Sequence, residues 1–285
     1  MKYYSMSVNE TQLGKLNKLY VNHLLEDKNP YLLFHAKHLE THILAYKSGK
    51  VLLQGNRIDK EIILIKKHLN LSYYEAVGSD EVGTGDVFGP VVVCAAFIDP
   101  SQIPFLESLN IRDSKQINDP TILKIGKKLA QKIKHTLLIL SPLKYNELSK
   151  KSINLNKMKA LLHNQAIIKT LSKVNKSVPV ILDQFCQPNL YFNYLSSETL
   201  VYRKINFYTK AESIHISVAV ASIIARYAFL IKLDEYSKKI KMTLKKGAST
   251  LVDDQLKELI QEGKLSNLPE IAKMNFKNVT KLLEF

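Results

Sequence analysis

Three carboxylates that follow apolar segments are the residues in this sequence best suited to chemistry. Asp80 and Glu81 come directly after a predicted strand over 75–79, and Asp183 follows the apolar segment 180–182. Adjacent residues of a strand point to opposite faces, so Asp80 and Glu81 reach one site only if the chain bends there. The glycines of the following Gly-Thr-Gly sequence, 83–85, allow such a bend.

Carboxylates gathered at the edge of an apolar sheet repel one another and are costly to desolvate. A bound divalent cation removes that cost. Carboxylate oxygens without His or Cys nearby in sequence favour Mg²⁺ or Mn²⁺ over Zn²⁺. The acids alone leave a second interpretation open, in which one of them caps a turn and another faces solvent.

Glycine is concentrated beside the first two acids. Four of the ten glycines fall within twelve residues, and Pro90 ends the group, whose members are Gly78, Gly83, Gly85 and Gly89. Such a loop lets a phosphate or sugar approach bare backbone amides. It is neither a P-loop nor a dinucleotide fingerprint, because no Gly-Lys-Ser/Thr follows and the loop leads into an apolar strand. An ordinary hairpin loop is the alternative.

The charge balance favours a polyanionic partner. The 285 residues include 41 Lys and Arg against 26 Asp and Glu, a formal net charge of +15. Nucleic acid and an anionic membrane surface both fit that charge. No stretch has the roughly 18 uninterrupted apolar residues of a membrane span, and the most apolar one, 214–233, indicates a buried helix. Two cysteines without a CxxC spacing suit the cytoplasm.

Hydrophobic periodicity predicts two regions of different texture. Residues 1–70 read as a helix over 11–25, short strands over 31–36, 41–46 and 51–54, and a helix over 58–69, a small α+β domain with an antiparallel sheet. From residue 71 to 285, strands alternate with longer helices and end in a helical tail. That order predicts α/β layers around a central mixed sheet.

Longer motifs in the second region resemble a known family. The stretch from Gly78 to Phe97, GSDEVGTGDVFGPVVVCAAF, is similar to the first motif of type 2 ribonucleases H. Arg-Asp-Ser-Lys at 112–115, Ile-Leu-Asp-Gln at 181–184 and the segment from Lys210 to Arg226 resemble later motifs in the same order. Thr84, where ribonuclease HII has Arg, and Glu212, where it has Asp, make the resemblance closest to ribonuclease HIII.

The resemblance implies a ribonuclease H-like layered fold and two-metal catalysis with Mg²⁺ or Mn²⁺. The implied ligands and catalytic acids are Asp80, Glu81, Asp183 and Glu212, with Asp80 as the bridging ligand. Implied substrate contacts are Gly83, Thr84 and Gly85 at RNA 2′-hydroxyls, and Ser114 and Lys115 at phosphate. Residues 1–70 would form a TATA-binding-protein-like domain that grips the substrate.

The expected function is therefore an endonuclease that hydrolyses the RNA strand of RNA–DNA hybrids and leaves 5′-phosphate and 3′-hydroxyl ends. We expect a cytoplasmic monomer with no obligate protein partner and no membrane association. Two alternatives remain: ribonuclease HII-like cleavage at single ribonucleotides in duplex DNA, and a non-catalytic hybrid-binding protein.

Overall fold

The structure is a computed structural model that describes residues 2–69, 75–109, 111, 117–213 and 215–283. Its described residues divide into two compact units. The first contains the chain up to residue 69 together with Asp99–Phe105, and the second contains the remaining residues from Glu75 onward.

The first unit is a five-stranded antiparallel sheet with two helices. In chain order its elements are β1 (Lys2–Ser7), α1 (Glu10–Leu19), β2 (Leu24–Leu25), β3 (Leu32–His38), β4 (Thr41–Tyr46), β5 (Lys50–Gly55) and α2 (Ile58–His68). The strand order is β1-β5-β4-β3-β2. The predicted strands and the second helix are present. Strand β1 was not predicted, and α1 ends six residues earlier than the expected residue 25.

Alternation along the strands gives this sheet one buried and one open face. The burial of β3, β4 and β5 alternates residue by residue, as period 2 requires. Buried residues such as Phe34, Ile43 and Leu53 pack with Leu16 of α1 and Ile62 of α2 in one hydrophobic core. The other face, with half-buried or exposed side chains, is left uncovered within this unit.

Residues from 75 onward form the second sheet and the remaining helices, the first of which begins within the Asp99–Phe105 segment of the first unit. The strands are β6 (Ala76–Val82), β7 (Val91–Ile98), β8 (His135–Leu140), β9 (Val180–Asp183) and β10 (Ile205–Tyr208). The helices are α3 (Ile103–Ser108), α4 (Asp119–Lys132), α5 (Pro142–Lys150), α6 (Leu155–Val174), α7 (Pro188–Tyr194), α8 (Ile216–Ile240), α9 (Thr250–Gln261), α10 (Leu268–Ile271) and α11 (Lys277–Leu283). The sheet order is β10-β9-β6-β7-β8.

This second sheet is mixed, as predicted. Strands β6, β9 and β10 are parallel, whereas β6, β7 and β8 are joined by antiparallel pairing. Helices α6 and α8 cover its opposite faces. Val77 of β6 belongs to the hydrophobic cluster that includes Ile167 of α6, and its neighbour Ala76 packs with Val218 of α8. The layered α/β architecture is confirmed.

Helix α8 is the central helix of the second unit. It is long and apolar enough to cross a membrane, but most of its apolar stretch is buried inside the protein. A methyl group added at Gly78 would meet the backbone carbon of Ser217 at 2.3 Å. The glycine therefore lets the start of α8 lie directly on β6, which confirms the prediction of a buried helix here.

Candidate active site

Asp80 lies near the end of β6 and faces helix α8. Its side chain accepts hydrogen bonds from the Ser222 hydroxyl and from the backbone N–H of Glu81, the latter at 2.8 Å from Oδ1. Only 7% of the residue is exposed. Burial, followed by the negative charges of Glu81 and Asp183, raises the pKa of Asp80 well above its ordinary value.

Asp183 is the last residue of β9, the parallel neighbour of β6. Ser79 pairs with Leu182, so Asp80 and Asp183 occupy the next register position at the carboxyl edge of the sheet. The Oδ1 atom of Asp183 accepts the backbone N–H of Ala211 at 2.8 Å. That bond fixes the short helical turn Ala211–Ser213, which carries Glu212 beside the same edge.

Glu81 points away from Asp80, because β6 continues without a bend through Val82 in its pairing with β7. Its Oε1 accepts Lys159 Nζ at 2.9 Å and its Oε2 lies 2.8 Å from His163 Nε2, both on α6. The bend expected at the two acids themselves is absent, since β6 stays paired with β7 through Val82. The bend begins only at Gly83, after the strand has already assigned the two side chains to opposite faces.

The partners of Glu81 keep it ionised. Burial opposes its charge, but the hydrogen bond with His163 and the charge of Lys159 outweigh it and lower the pKa of Glu81. His163 is fully buried, and its Nδ1 lies 2.7 Å from the hydroxyl oxygen of Ser79. Adjacent acids thus have opposite shifts: the pKa of Asp80 is raised and that of Glu81 is lowered.

The four predicted acids do not form a preassembled metal-binding site. Within the described ranges, no group of three or more His, Cys, Asp or Glu side chains is arranged to hold a metal ion. Asp80 and Asp183 lie side by side, Glu212 is on the neighbouring turn, and Glu81 is directed to α6. The raised pKa of Asp80 nevertheless fits a cation site, because a positive ion would relieve the repulsion among these carboxylates.

The glycine-rich loop follows β6 at the same edge. Gly83 has a left-handed φ of +92°, and a methyl group there would lie 2.1 Å from the carbonyl oxygen of Pro90. Gly85 is exposed, and a methyl group there would meet no described atom within 4 Å. Thr84, between them, is half-buried. Bare backbone is therefore accessible at Gly85, whereas Gly83 is buried. Ser114 and Lys115 lie outside the described residues.

Sequence reasoning missed three polar residues that hold the acids: Lys159, His163 and Ser222. Lys159 and His163 are four residues apart, so they share one face of α6. Polar residues at that spacing among buried neighbours were the available signal. His215 is a core residue: it is 1% exposed and caps α8 by accepting the Ser217 N–H.

Comparison with known proteins identifies the family. The family model for ribonuclease HII matches residues 77–279, and a model described as a domain of unknown function, DUF3378, matches residues 5–62. Ribonuclease HIII of Phytoplasma mali strain AT is 49% identical over 99% of this chain and 98% of that protein. The chain belongs to the ribonuclease HIII family.

Other ribonucleases HIII support the assignment across both units. The enzyme of Bacillus cereus is 41% identical over 98% of this chain and 97% of its own length. The crystal structure of Bst-RNase HIII in complex with Mn²⁺ matches with a TM-score of 0.74 and 34% identity, covering 99% of this chain and 98% of that one. This ribonuclease HIII family member is therefore a ribonuclease H, as the motifs predicted.

Proposed function

We propose that this enzyme hydrolyses the RNA strand of RNA–DNA hybrids at internal positions, leaving 5′-phosphate and 3′-hydroxyl ends. The observation that carries the proposal is the buried Asp80, whose ionisation is opposed by Glu81 and Asp183 at the carboxyl edge of the sheet. Such an arrangement suits a divalent cation. The Mn²⁺ complex of the related Bst-RNase HIII supports a metal in this family.

Asp80, Glu81, Asp183 and Glu212 are the proposed ligands of two Mg²⁺ or Mn²⁺ ions. The bound ions would supply an activated water nucleophile and stabilise the departing 3′ oxygen. Asp80 is the proposed central ligand, because its carboxyl group is influenced by the charges of both Glu81 and Asp183. To join the same ions, the Glu81 carboxylate would have to share its contacts with Lys159 and His163.

The chain's own residues prepare this site before substrate arrives. Ser222 holds the Asp80 carboxyl on one side of the sheet, and the Ala211 N–H holds Asp183 at its edge. Glu81 is kept charged by Lys159 and His163. Each of these three acids therefore has a partner that limits its rotation, which lowers the cost of assembling the ligands.

The proposed substrate contacts come from the loop after β6, from two residues outside the described ranges and from the first unit. Backbone groups of Gly83–Gly85 would meet 2′-hydroxyls of the RNA strand, and Ser114 and Lys115 would hold a phosphate. The antiparallel sheet of the first unit, residues 1–70, is the proposed TATA-binding-protein-like domain, with its open face toward nucleic acid. Lys37 and Lys50 are exposed at positions of that face.

Hydrolysis of an end-labelled RNA–DNA hybrid in Mg²⁺ or Mn²⁺ tests the proposal. We expect internal cuts with 5′-phosphate ends, loss of activity in excess chelator, and loss of activity in Asp80→Asn. Asp254→Asn, at an exposed acid of α9, is the matched control and should cut normally. Cleavage in the presence of chelator, or equal activity of both variants, would refute the metal mechanism.

We propose further that the enzyme acts as a cytoplasmic monomer without an obligate protein partner. Cys94 and Cys186 are both free thiols, which suits a reducing compartment. Sedimentation of the active enzyme at assay concentration would test the monomer, and a single species of about twice the chain mass would reject it.

A further inference from the structure

A buried lysine in the C-terminal tail contacts the glycine-rich loop. Lys273 lies between α10 and α11, and none of its surface is exposed. Its Nζ donates to the carbonyl oxygens of Asp86 and Gly89, each at 2.7 Å. A buried amine is costly unless its hydrogens are bonded, and here both acceptors belong to the loop that joins β6 to β7.

The backbone joins the same two segments. The N–H of Lys273 donates to Val87 at 2.9 Å, and the N–H of Gly89 donates to Ile271 at 2.8 Å. Phe88 and Ala272 form an antiparallel bridge between these bonds. The tail therefore pairs with residues 86–89 as a short strand would, and the Lys273 side chain ties the two ends of that pairing together.

A second tail segment, at Gly247, contacts Asp86 and Val87 of the loop. The N–H of Gly247 donates to Oδ1 of Asp86 at 2.6 Å, and the N–H of Val87 donates to the carbonyl of Gly247 at 3.0 Å. Residues 86–89 are thus fixed from two places, whereas Gly85 just before them is exposed. The tail sets the position from which the exposed end of the loop projects.

We propose that Lys273 is a positioning residue, which fixes the glycine-rich loop in the shape that receives the RNA strand. Because it is wholly buried, it acts through the carbonyls of Asp86 and Gly89 and touches no substrate. The inference rests on the proposed role of Gly83–Gly85 in substrate binding. Burial also lowers the pKa of Lys273 to about 7, so this amine is held at a cost to its charged form.

The test compares Lys273→Met with Lys264→Met in the full-length enzyme. Lys264 is a second tail lysine, and its Nζ donates to a backbone carbonyl outside the loop, that of Ile240 at 2.8 Å. For Lys273→Met we expect KM for the hybrid to rise about tenfold with kcat within about twofold, since both hydrogen bonds from Nζ to the loop are lost. Lys264→Met should keep the wild-type KM.

Amide hydrogen exchange of residues 83–89, measured without substrate, distinguishes whether Lys273 holds the loop from whether the loop binds substrate. Faster exchange in Lys273→Met than in Lys264→Met, together with the raised KM, supports positioning. Exchange equal in the two variants overturns the inference whatever happens to KM. Faster exchange with unchanged KM shows that the loop is held by Lys273 but does not bind substrate, so the proposed loop role fails.

A second variant covers the case in which Lys273→Met does not fold. Asp86→Ala removes the carboxylate that accepts the Gly247 N–H, at a half-buried position of the same loop. We expect the same faster exchange and a KM raised in the same direction. Wild-type exchange and KM in Asp86→Ala would overturn the idea that the tail positions this loop.

Discussion

Asp80 and Glu81 are neighbours in the chain, yet their surroundings shift the pKa values of the two carboxyl groups in opposite directions. The strand sends Asp80 toward α8, where burial and two acids raise its pKa, and sends Glu81 toward Lys159 and His163, which lower its pKa. Divergent environments of paired carboxyl groups are typical of functional sites, because each group is thereby suited to a separate role.

Asp80→Asn should abolish cleavage while increasing stability in the absence of metal. We expect turnover to fall by about three orders of magnitude or more, about 4 kcal/mol of activation free energy. The pKa of Asp80 in the folded protein lies above its unfolded value of 3.8. The wild-type protein therefore loses stability as the pH rises from about 4 toward the folded pKa. Asn cannot ionise and avoids this loss.

Thermal melts in chelator check the stability half of that prediction. The melting temperature of Asp80→Asn should exceed that of the wild type at neutral pH, by about 2–4 °C for each kcal/mol of relief, and the difference should vanish toward pH 4. A variant that melts lower than wild type at pH 7 would contradict the raised pKa. A folded variant with near-normal turnover would contradict the bridging role.

Thr84 should make a lone ribonucleotide a poor substrate. The Arg of a ribonuclease HII loop can hold phosphate with a bidentate guanidinium, whereas Thr84 is uncharged and short. We expect efficient cutting at several positions within runs of ribonucleotides and poor cutting of a single ribonucleotide in duplex DNA. Side-by-side kinetics in Mg²⁺ measure this ratio. Equal rates would favour the ribonuclease HII-like alternative.

At the scale of elements, the antiparallel sheet of the first unit offers an open face with exposed lysines. Lys37→Glu and Lys50→Glu should weaken hybrid binding and reduce the slope of log affinity against log salt by about one for each lost phosphate contact. Lys18→Glu, on helix α1 and away from that face, is the matched control. Equal effects of all three substitutions would assign the loss to net charge alone.

At the scale of the whole molecule, we expect the net charge of +15 to govern hybrid binding and the metal held by the carboxylates to govern cleavage. Ca²⁺ tolerates looser geometry than Mg²⁺, so we expect it to support hybrid binding without cleavage. Binding in Ca²⁺ should weaken by orders of magnitude between about 50 and 200 mM salt, because counterions are released. Titration of a labelled hybrid at several salt concentrations measures both effects.

An affinity that does not respond to salt would contradict binding through phosphates. Full cleavage in Ca²⁺ would contradict the expectation that cleavage needs the stricter coordination geometry of Mg²⁺. Neither result would bear on the fold, because the experiment measures only hybrid affinity and cleavage.

Local pattern was sufficient to predict most elements and the acids that end them. Period-2 alternation predicted β4 and the long apolar stretch predicted α8, because each element buries one face of its own sequence. The strand β1 was missed, since a six-residue segment has little periodicity and its partner β5 lies more than forty residues away. The position of the glycine-rich loop was also predicted from the sequence, because glycine is favoured where φ is positive, as at Gly83.

The sequence by itself determined which acids exist, the strands that carry them and the bare loop beside them. Tertiary structure decided where each acid points and what holds it. Lys159 reaches Glu81 across 78 residues, and Lys273 reaches Gly89 across 184. Such contacts depend on how helices and tail pack on the sheet, and no local periodicity encodes a partner that distant in the chain.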